Sequence, residues 1–246
     1  FSKFYDNIIH EIAKRELLKL FDDDEFIDWL LTQIFDGFKI DVSYMTDEEY
    51  AHCMEMIFNS LEYEKIDRRL LTGEKFMRKH LNIGDQVAQD AGIAYRIPID
   101  NFVKIVKGVK FYGAYMDDSY AIHESKEFLQ DLLSEIIEIA KGIGITVNVR
   151  KTRICKLSEM WRFLQVQYSL TETGRVIHKI NPKRLTAMRR KLKKLAGRLP
   201  EKEFYNLYHS WMENHYRIMS RQQRANMNDL YNKLKEEHYH VQTDFG

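Results

Sequence analysis

Asp117 and Asp118 are adjacent carboxylates set between two short, apolar, aromatic-rich runs at 110–115 and 119–123. That pattern predicts two strands of a hairpin with the acid pair at its tip. Like charges this close raise each other's pKa, so an unrelieved pair is costly. A divalent cation relieves the cost, and Mg²⁺ typically takes one or two protein carboxylates together with substrate phosphates. A turn that merely contains Asp-Asp is the plain alternative, and the tetrapeptide Tyr115-Met116-Asp117-Asp118 leaves it open.

The second chemical feature is a cationic run at 183–198, formed by Lys183, Arg184, Arg189, Arg190, Lys191, Lys193, Lys194 and Arg198 with no acid among them. The net charge of +1 conceals it. Residues 1–100 carry 12 basic and 21 acidic side chains, residues 101–200 carry 20 and 9, and residues 201–246 carry 6 and 7. Counterion release depends on a local basic face, so overall neutrality does not argue against a polyanionic partner. A solvated helix surface is the plain alternative.

The elements that must position these groups follow from periodicity. A helix is expected from a cap at Asp6 or Asn7 through Phe21, and a second over 24–35. Thr46 and Glu49 form a capping box before a helix to about Leu61, with Met54, Ile57, Phe58 and Leu61 as its apolar stripe. A long helix over 86–106 should kink or break at Pro98. Beyond the hairpin, Ser125 opens a helix to about Lys141. Segments 145–149, 152–157, 161–168 and 176–180 read as strands, with a turn at Thr173-Gly174. Helices resume at Pro182: Phe204, Leu207, Tyr208, Trp211, His215 and Ile218 share one face, and a last helix runs from about Arg221 to Glu237. A boundary is expected near Asn181-Pro182.

A chain of 246 residues with two cysteines, Cys53 and Cys155, cannot build a disulfide framework or a zinc ribbon. No apolar run approaches the roughly 20 residues of a membrane span. Secreted, collagenous, membrane-spanning and zinc-module readings are excluded.

The motifs around the acid pair carry a resemblance. Tyr115-Met116-Asp117-Asp118 resembles the Tyr-x-Asp-Asp hairpin of reverse transcriptases. Phe1-Ser2-Lys3-Phe4-Tyr5-Asp6-Asn7-Ile8 resembles their first palm motif, and Ile83-Gly84-Asp85-Gln86-Val87-Ala88-Gln89 the Gly-centred motif at the nucleotide-binding helix. Residues 144–152, with Asn148, Lys151 and Thr152, resemble the Leu-Asn-x-x-Lys-Thr motif, and Phe163-Leu164-Gln165 the primer grip. The five occur in the family's order. Ile83 and Gln89 favour the diversity-generating and phage-defence branch, related to group II intron and retron enzymes, although Ala88 stands where that branch has Ser.

The resemblance implies an α+β fold: a polymerase palm, with an antiparallel sheet and helices packed on one face, over 1–181. It would include a helical palm or fingers element at about 22–82, be followed by a helical thumb over 182–246, and lack most of the fingers. It implies RNA-directed DNA synthesis with two Mg²⁺ ions, Mn²⁺ being a substitute. Asp117 and Asp118 would be metal ligands, and Lys151 would assist the leaving pyrophosphate. Phe4, Tyr5, Gly84, Gln86, Gln89, Tyr115 and Met116 would line the nucleotide site, with Tyr5 as the aromatic that excludes a 2′-hydroxyl. Phe163, Leu164, Gln165, Lys183, Arg184, Arg189, Arg190, Lys193 and Lys194 would contact nucleic acid. The third metal-binding Asp of the first motif would fall immediately before Phe1, so the chain as given is expected to be impaired, and Asp6 is expected to cap a helix. Partners would be an RNA template, a DNA or RNA primer, deoxynucleoside triphosphates and an accessory protein, but no membrane, in the cytoplasm of a bacterium or encoded by its prophage. The alternatives are an RNA-binding module without catalysis, and template-independent, protein-primed synthesis.

Overall fold

Residues 1–164 and 166–239 are described by the computed structural model. The fold is α+β, with small antiparallel sheets among many helices. It divides into two compact units, Phe1–Ile154 and Cys155–Gly246. The expected boundary near Asn181-Pro182 is a strand-to-helix junction inside the second unit.

In the first unit, α1 covers His10–Leu18, later than the caps predicted for it. Residues Tyr5–Asn7 form a 3₁₀ turn instead. Asn7 is buried, its Oδ1 accepting the Phe58 N–H at 2.9 Å and its Nδ2 donating to the Lys3 carbonyl at 2.7 Å. Asp6 accepts from Ser60 Oγ at 3.1 Å and faces His80 Nδ1 at 3.4 Å. Both side chains are taken by residues distant in sequence, so neither caps α1.

The next helix, expected over 24–35, is α2 (Glu25–Phe38), capped by Asp24 accepting from the Ile27 N–H. It is followed by β1 (Ile40–Asp41) and by α3 (Asp47–Glu55), which carries the Thr46–Glu49 capping box. That helix stops at Glu55, short of the expected Leu61, and a separate turn of helix, α4, covers Ser60–Tyr63. The expected stripe is therefore split: Phe58 is buried, while Ile57 and Leu61 are exposed. A short β2 (Phe76–Met77) pairs antiparallel with β1.

Two helices, α5 (Gln86–Tyr95) and α6 (Ile97–Asn101), replace the single long one, with the break at Arg96 and Pro98 in the first turn of α6. Proline lacks an N–H and is tolerated at a helix start, which accounts for the break. A π-helical turn, Phe102–Val106, follows. Ala88, Ala91, Gly92 and Ala94 of α5 are buried, and their small size lets α1 pack close.

The hairpin forms as expected, from β3 (Phe111–Tyr115) and β4 (Asp118–Ile122) in a register that runs from Phe111↔Ile122 to Tyr115↔Asp118. The amphipathic α7 (Lys126–Gly142) is capped by Ser125. The core gathers Phe4, Ile8, Tyr95, Ile99, Leu132, Ala140 and Ile143. The strands expected at 145–149 and 152–157 are absent: the segments are loop and turn, and a strand requires a paired ladder. Thr146 contributes one bond, accepting the Ser2 N–H at 2.9 Å.

The second unit begins with β5 (Trp161–Phe163), β6 (Val166–Leu170) and β7 (Val176–Ile180), a three-stranded antiparallel sheet. The single strand expected over 161–168 is thus two, reversed after Phe163, where Leu164 has φ +46°. Three helices follow, α8 (Pro182–Leu195), α9 (Glu201–His215) and α10 (Arg221–Tyr239). Their common core contains Leu192, Phe204, Tyr208, Met227 and Tyr231, with Trp211 packed against it. No helix among the described residues is long and apolar enough to cross a membrane.

Candidate functional site

The hairpin of β3 and β4 closes at Tyr115↔Asp118, which leaves Met116 and Asp117 as a two-residue turn. Hairpin turns of this length need a positive φ at the first central residue. Met116 supplies it at +51°, a conformation that a residue with a side chain adopts at some cost. Asp117 and Asp118 are exposed, and neither carboxylate has a hydrogen-bonded or ion-paired partner among the described residues.

The underside of the turn is held at several points. The Phe1 nitrogen donates to the Asp117 carbonyl oxygen at 3.1 Å. The Tyr5 hydroxyl donates to Met116 Sδ at 3.3 Å. Burial first, and the charge of Asp117 second, push the Tyr5 pKa up, so the hydroxyl keeps its proton. The Arg96 guanidinium donates through Nη1 to the Met116 carbonyl oxygen.

Arg96 was not among the expected site residues. It is 3% exposed and makes a fork of bonds: Nε and Nη2 to the Asp100 carboxylate at 3.2 and 3.0 Å, and Nη2 to the Tyr112 hydroxyl at 3.1 Å. Tyr112 donates in turn to Asp100 at 2.5 Å, and burial with that bond pushes its pKa up to about 12. The signal in the sequence was an Arg within the apolar stretch 93–99 with an Asp four residues on, an i,i+4 pair whose surroundings demanded burial.

Of the other residues expected at the nucleotide site, Tyr115 is exposed beside the turn. Gly84, with φ +114°, precedes Asp85, whose carboxylate caps α5 by accepting the Val87 N–H at 2.8 Å. Gln86 is exposed and donates to Asp90 at 3.3 Å, and Gln89 is half-buried one turn along. Phe4 departs from its expected role. It is 4% exposed, stacked on Phe1 at 5.7 Å and edge-on to Tyr5 at 5.4 Å, so its ring supports Tyr5 from the core and cannot reach a ligand.

Lys151 lies in the loop that Asn148 orders: Asn148 Oδ1 accepts the Lys151 N–H at 3.2 Å, and its carbonyl accepts from Thr152 Oγ1 at 3.0 Å. The Lys151 charge acts on the Phe1 nitrogen, as do those of Asp117 and Asp118.

Searches of protein-family models, curated proteins and solved structures find no match for this chain. The resemblance to reverse transcriptases thus rests on the motif residues themselves.

Among the described residues, no group of three or more His, Cys, Asp and Glu side chains could hold a metal ion. The two free carboxylates of the turn fit a Mg²⁺ that draws its remaining ligands from phosphate and water, and do not fit an all-protein cage.

In the second unit, Leu164, Val166, Arg184, Asn214, His215 and Ile218 line a cavity of about 310 Å³. Arg184 Nη1 lies 3.1 Å from His215 Nε2, and a guanidinium can only donate, so Nε2 accepts. The other ring nitrogen, Nδ1, donates to the Trp211 carbonyl at 2.7 Å, which fixes the neutral tautomer. Two residues expected to touch nucleic acid, Leu164 and Arg184, are thereby brought together. Phe163 ends β5, and Gln165 lies outside the described residues. Along α8, Met188 and Leu192 are buried; Lys183, Arg190, Lys191, Lys193 and Lys194 are exposed, and Arg189 is half-buried. None of these cations forms an ion pair among the described residues.

Proposed function

We propose that this chain is the palm and thumb part of an RNA-directed DNA polymerase from a bacterial or prophage retroelement, working in the cytoplasm on an RNA template with a DNA or RNA primer. The observation that carries the reading is the Asp117 turn: two unpartnered, solvent-facing carboxylates at the tip of a tight hairpin, with Tyr5 and the Phe1 nitrogen against its underside. The motif resemblance supplies the chemistry.

In the proposed reaction, a primer 3′-hydroxyl attacks the α-phosphate of a deoxynucleoside triphosphate, and pyrophosphate leaves. Bound Mg²⁺, or Mn²⁺ in its place, would lower the pKa of the attacking hydroxyl and neutralise charge on the leaving oxygens. Asp117 and Asp118 would hold that charge at the turn. Tyr5, kept protonated, would present its ring to the sugar and exclude a 2′-hydroxyl. Gln86 and Gln89 would lie along the nucleotide and template. Lys151 would stabilise or protonate the leaving pyrophosphate. The exposed cations of α8 would track phosphates in a sequence-independent, salt-dependent way.

Those unpaired cations also favour a second reading, RNA binding without catalysis. The test is primer extension on an RNA template with Mg²⁺, using protein translated from its whole reading frame and its Asp117→Asn variant. Templated DNA from the unmutated protein alone supports the polymerase. Salt-sensitive RNA binding with no synthesis by either supports the binding module. Product whose sequence ignores the template supports protein-primed, template-independent synthesis.

A further inference from the structure

A buried arginine that reaches a catalytic turn can act either as packing or as a device that aims the turn, and the bonding of Arg96 separates the two. Its Nε and one face of Nη2 are spent on Asp100, and the remaining Nη2 bond is with Tyr112. The residue's rotamer is thereby fixed from three directions, which leaves Nη1 pointed at a single acceptor, the Met116 carbonyl. That carbonyl and the Asp117 N–H belong to one planar peptide unit, so anchoring the oxygen fixes the plane from which Asp117 departs. The Phe1 nitrogen holds the next carbonyl, that of Asp117, and the Phe1 ring lies 5.8 Å from the guanidinium carbon. Consecutive carbonyls of one turn are therefore gripped by neighbouring groups. The positive φ of Met116 is the conformation such a grip must maintain, because sparsely populated backbone states persist where their surroundings over-determine them.

We infer that Arg96 is a positioning residue for the Asp117–Asp118 pair, with Asp100 and Tyr112 as the groups that aim it. Its catalytic consequence rests on the polymerase reading; its effect on the turn does not. Lysine at 96 would keep the charge opposite Asp100 but cannot present a planar fork to three acceptors at once.

The experiment compares wild type, Arg96→Lys and Tyr112→Phe in the full-length protein by three readouts: thermal melting, hydrogen exchange across Phe111–Ile122, and steady-state primer extension with Mg²⁺. Expected for Arg96→Lys is a folded protein whose hairpin exchanges faster than in wild type while α1 does not. Its kcat should fall about 10–100-fold, the range seen when supporting partners of a metal site are removed, with the KM for deoxynucleotide unchanged. Tyr112→Phe, which removes one hydroxyl, should change both readouts in the same direction by less, and it decides the matter if Arg96→Lys fails to fold. Wild-type kcat together with wild-type hairpin exchange in the folded variant overturns the inference. If wild type itself makes no DNA, the polymerase reading fails, and the exchange measurement alone supports or overturns the role of Arg96.

Discussion

The ring of Tyr5 packs directly on Gly92 of α5, where an added Cβ would stand 3.1 Å from both Tyr5 Cε1 and its hydroxyl. On its other side the same hydroxyl meets Met116 Sδ at 3.3 Å. The tip of Tyr5 is thus held between the helix and the turn. Gly92→Ala should gain about 1 kcal/mol of helix propensity and lose about 1–3 kcal/mol to overpacking, so its net effect on stability should run from neutral to a loss of about 2 kcal/mol. What should move is Tyr5. Under the proposed function, the ratio of ribonucleotide to deoxynucleotide incorporation shifts, and competitive incorporation assays on the variant would detect it.

The carboxylates of Asp117 and Asp118 are exposed and make no hydrogen bond or ion pair among the described residues. Asp117→Asn and Asp118→Asn should therefore leave the unfolding free energy within about 0.5 kcal/mol of wild type, or raise it slightly by removing like-charge repulsion. Primer extension should nonetheless be lost in either variant. A fall in stability equal to the loss of function would show that the carboxylates serve the fold.

Tyr95 is fully buried, with its hydroxyl accepting the Ile9 N–H at 3.2 Å and donating to the Ile143 carbonyl. Tyr95→Phe strands both backbone groups at a cost of about 1–3 kcal/mol each, which urea unfolding would measure.

The same residue gives an alkaline signature. Burial pushes the Tyr95 pKa from 10.0 up to about 12. Above pH 10 the unfolded chain releases this proton while the folded chain keeps it, so the unfolded state binds fewer protons and stability falls as pH rises. The contribution is fully present below pH 10 and is lost as pH climbs to about 12, and Tyr112, raised to about 12 as well, adds to it. Stability measured from pH 9 to 12 should decline, and the Tyr95→Phe variant should decline less steeply.

Arg190, Lys193 and Lys194 are exposed on α8 and unpaired among the described residues. Replacing all three with Gln should weaken RNA binding and flatten its dependence on log salt by about 0.7–0.9 for each phosphate that is no longer neutralised. Titrations at several salt concentrations would show whether the slope changes. An unchanged slope would mean that RNA, if bound, is held elsewhere.

The features legible in the sequence are those decided within a few residues. The hairpin announced itself by two apolar runs around an acid pair, and its register closes where those runs end. Thr46 with Glu49, and Ser125, cap the helices they were read to open, because a cap is a bond to a backbone N–H two or three positions away. Pro98 breaks the long helix for the equally local reason that it has no N–H to give.

Only the tertiary structure decided which residues distant in sequence would claim these groups. Asp6 and Asn7 have the chemistry of a cap, yet Ser60, His80 and Phe58 take them. Residues 145–157 have strand composition, yet a strand exists only where a partner offers a ladder. Phe4 has the place of a ligand-facing aromatic and lies in the core. Arg96 reads as one more charge in a helix until Tyr112 and Met116, separated from it by a helix and a strand, close around it. Sequence thus determined the acid pair, its hairpin and the unpaired cations. The packing that joins α5, the hairpin and Phe1 decided how the pair is aimed, since hydrogen bonds between remote residues depend on coordinates that no local pattern encodes.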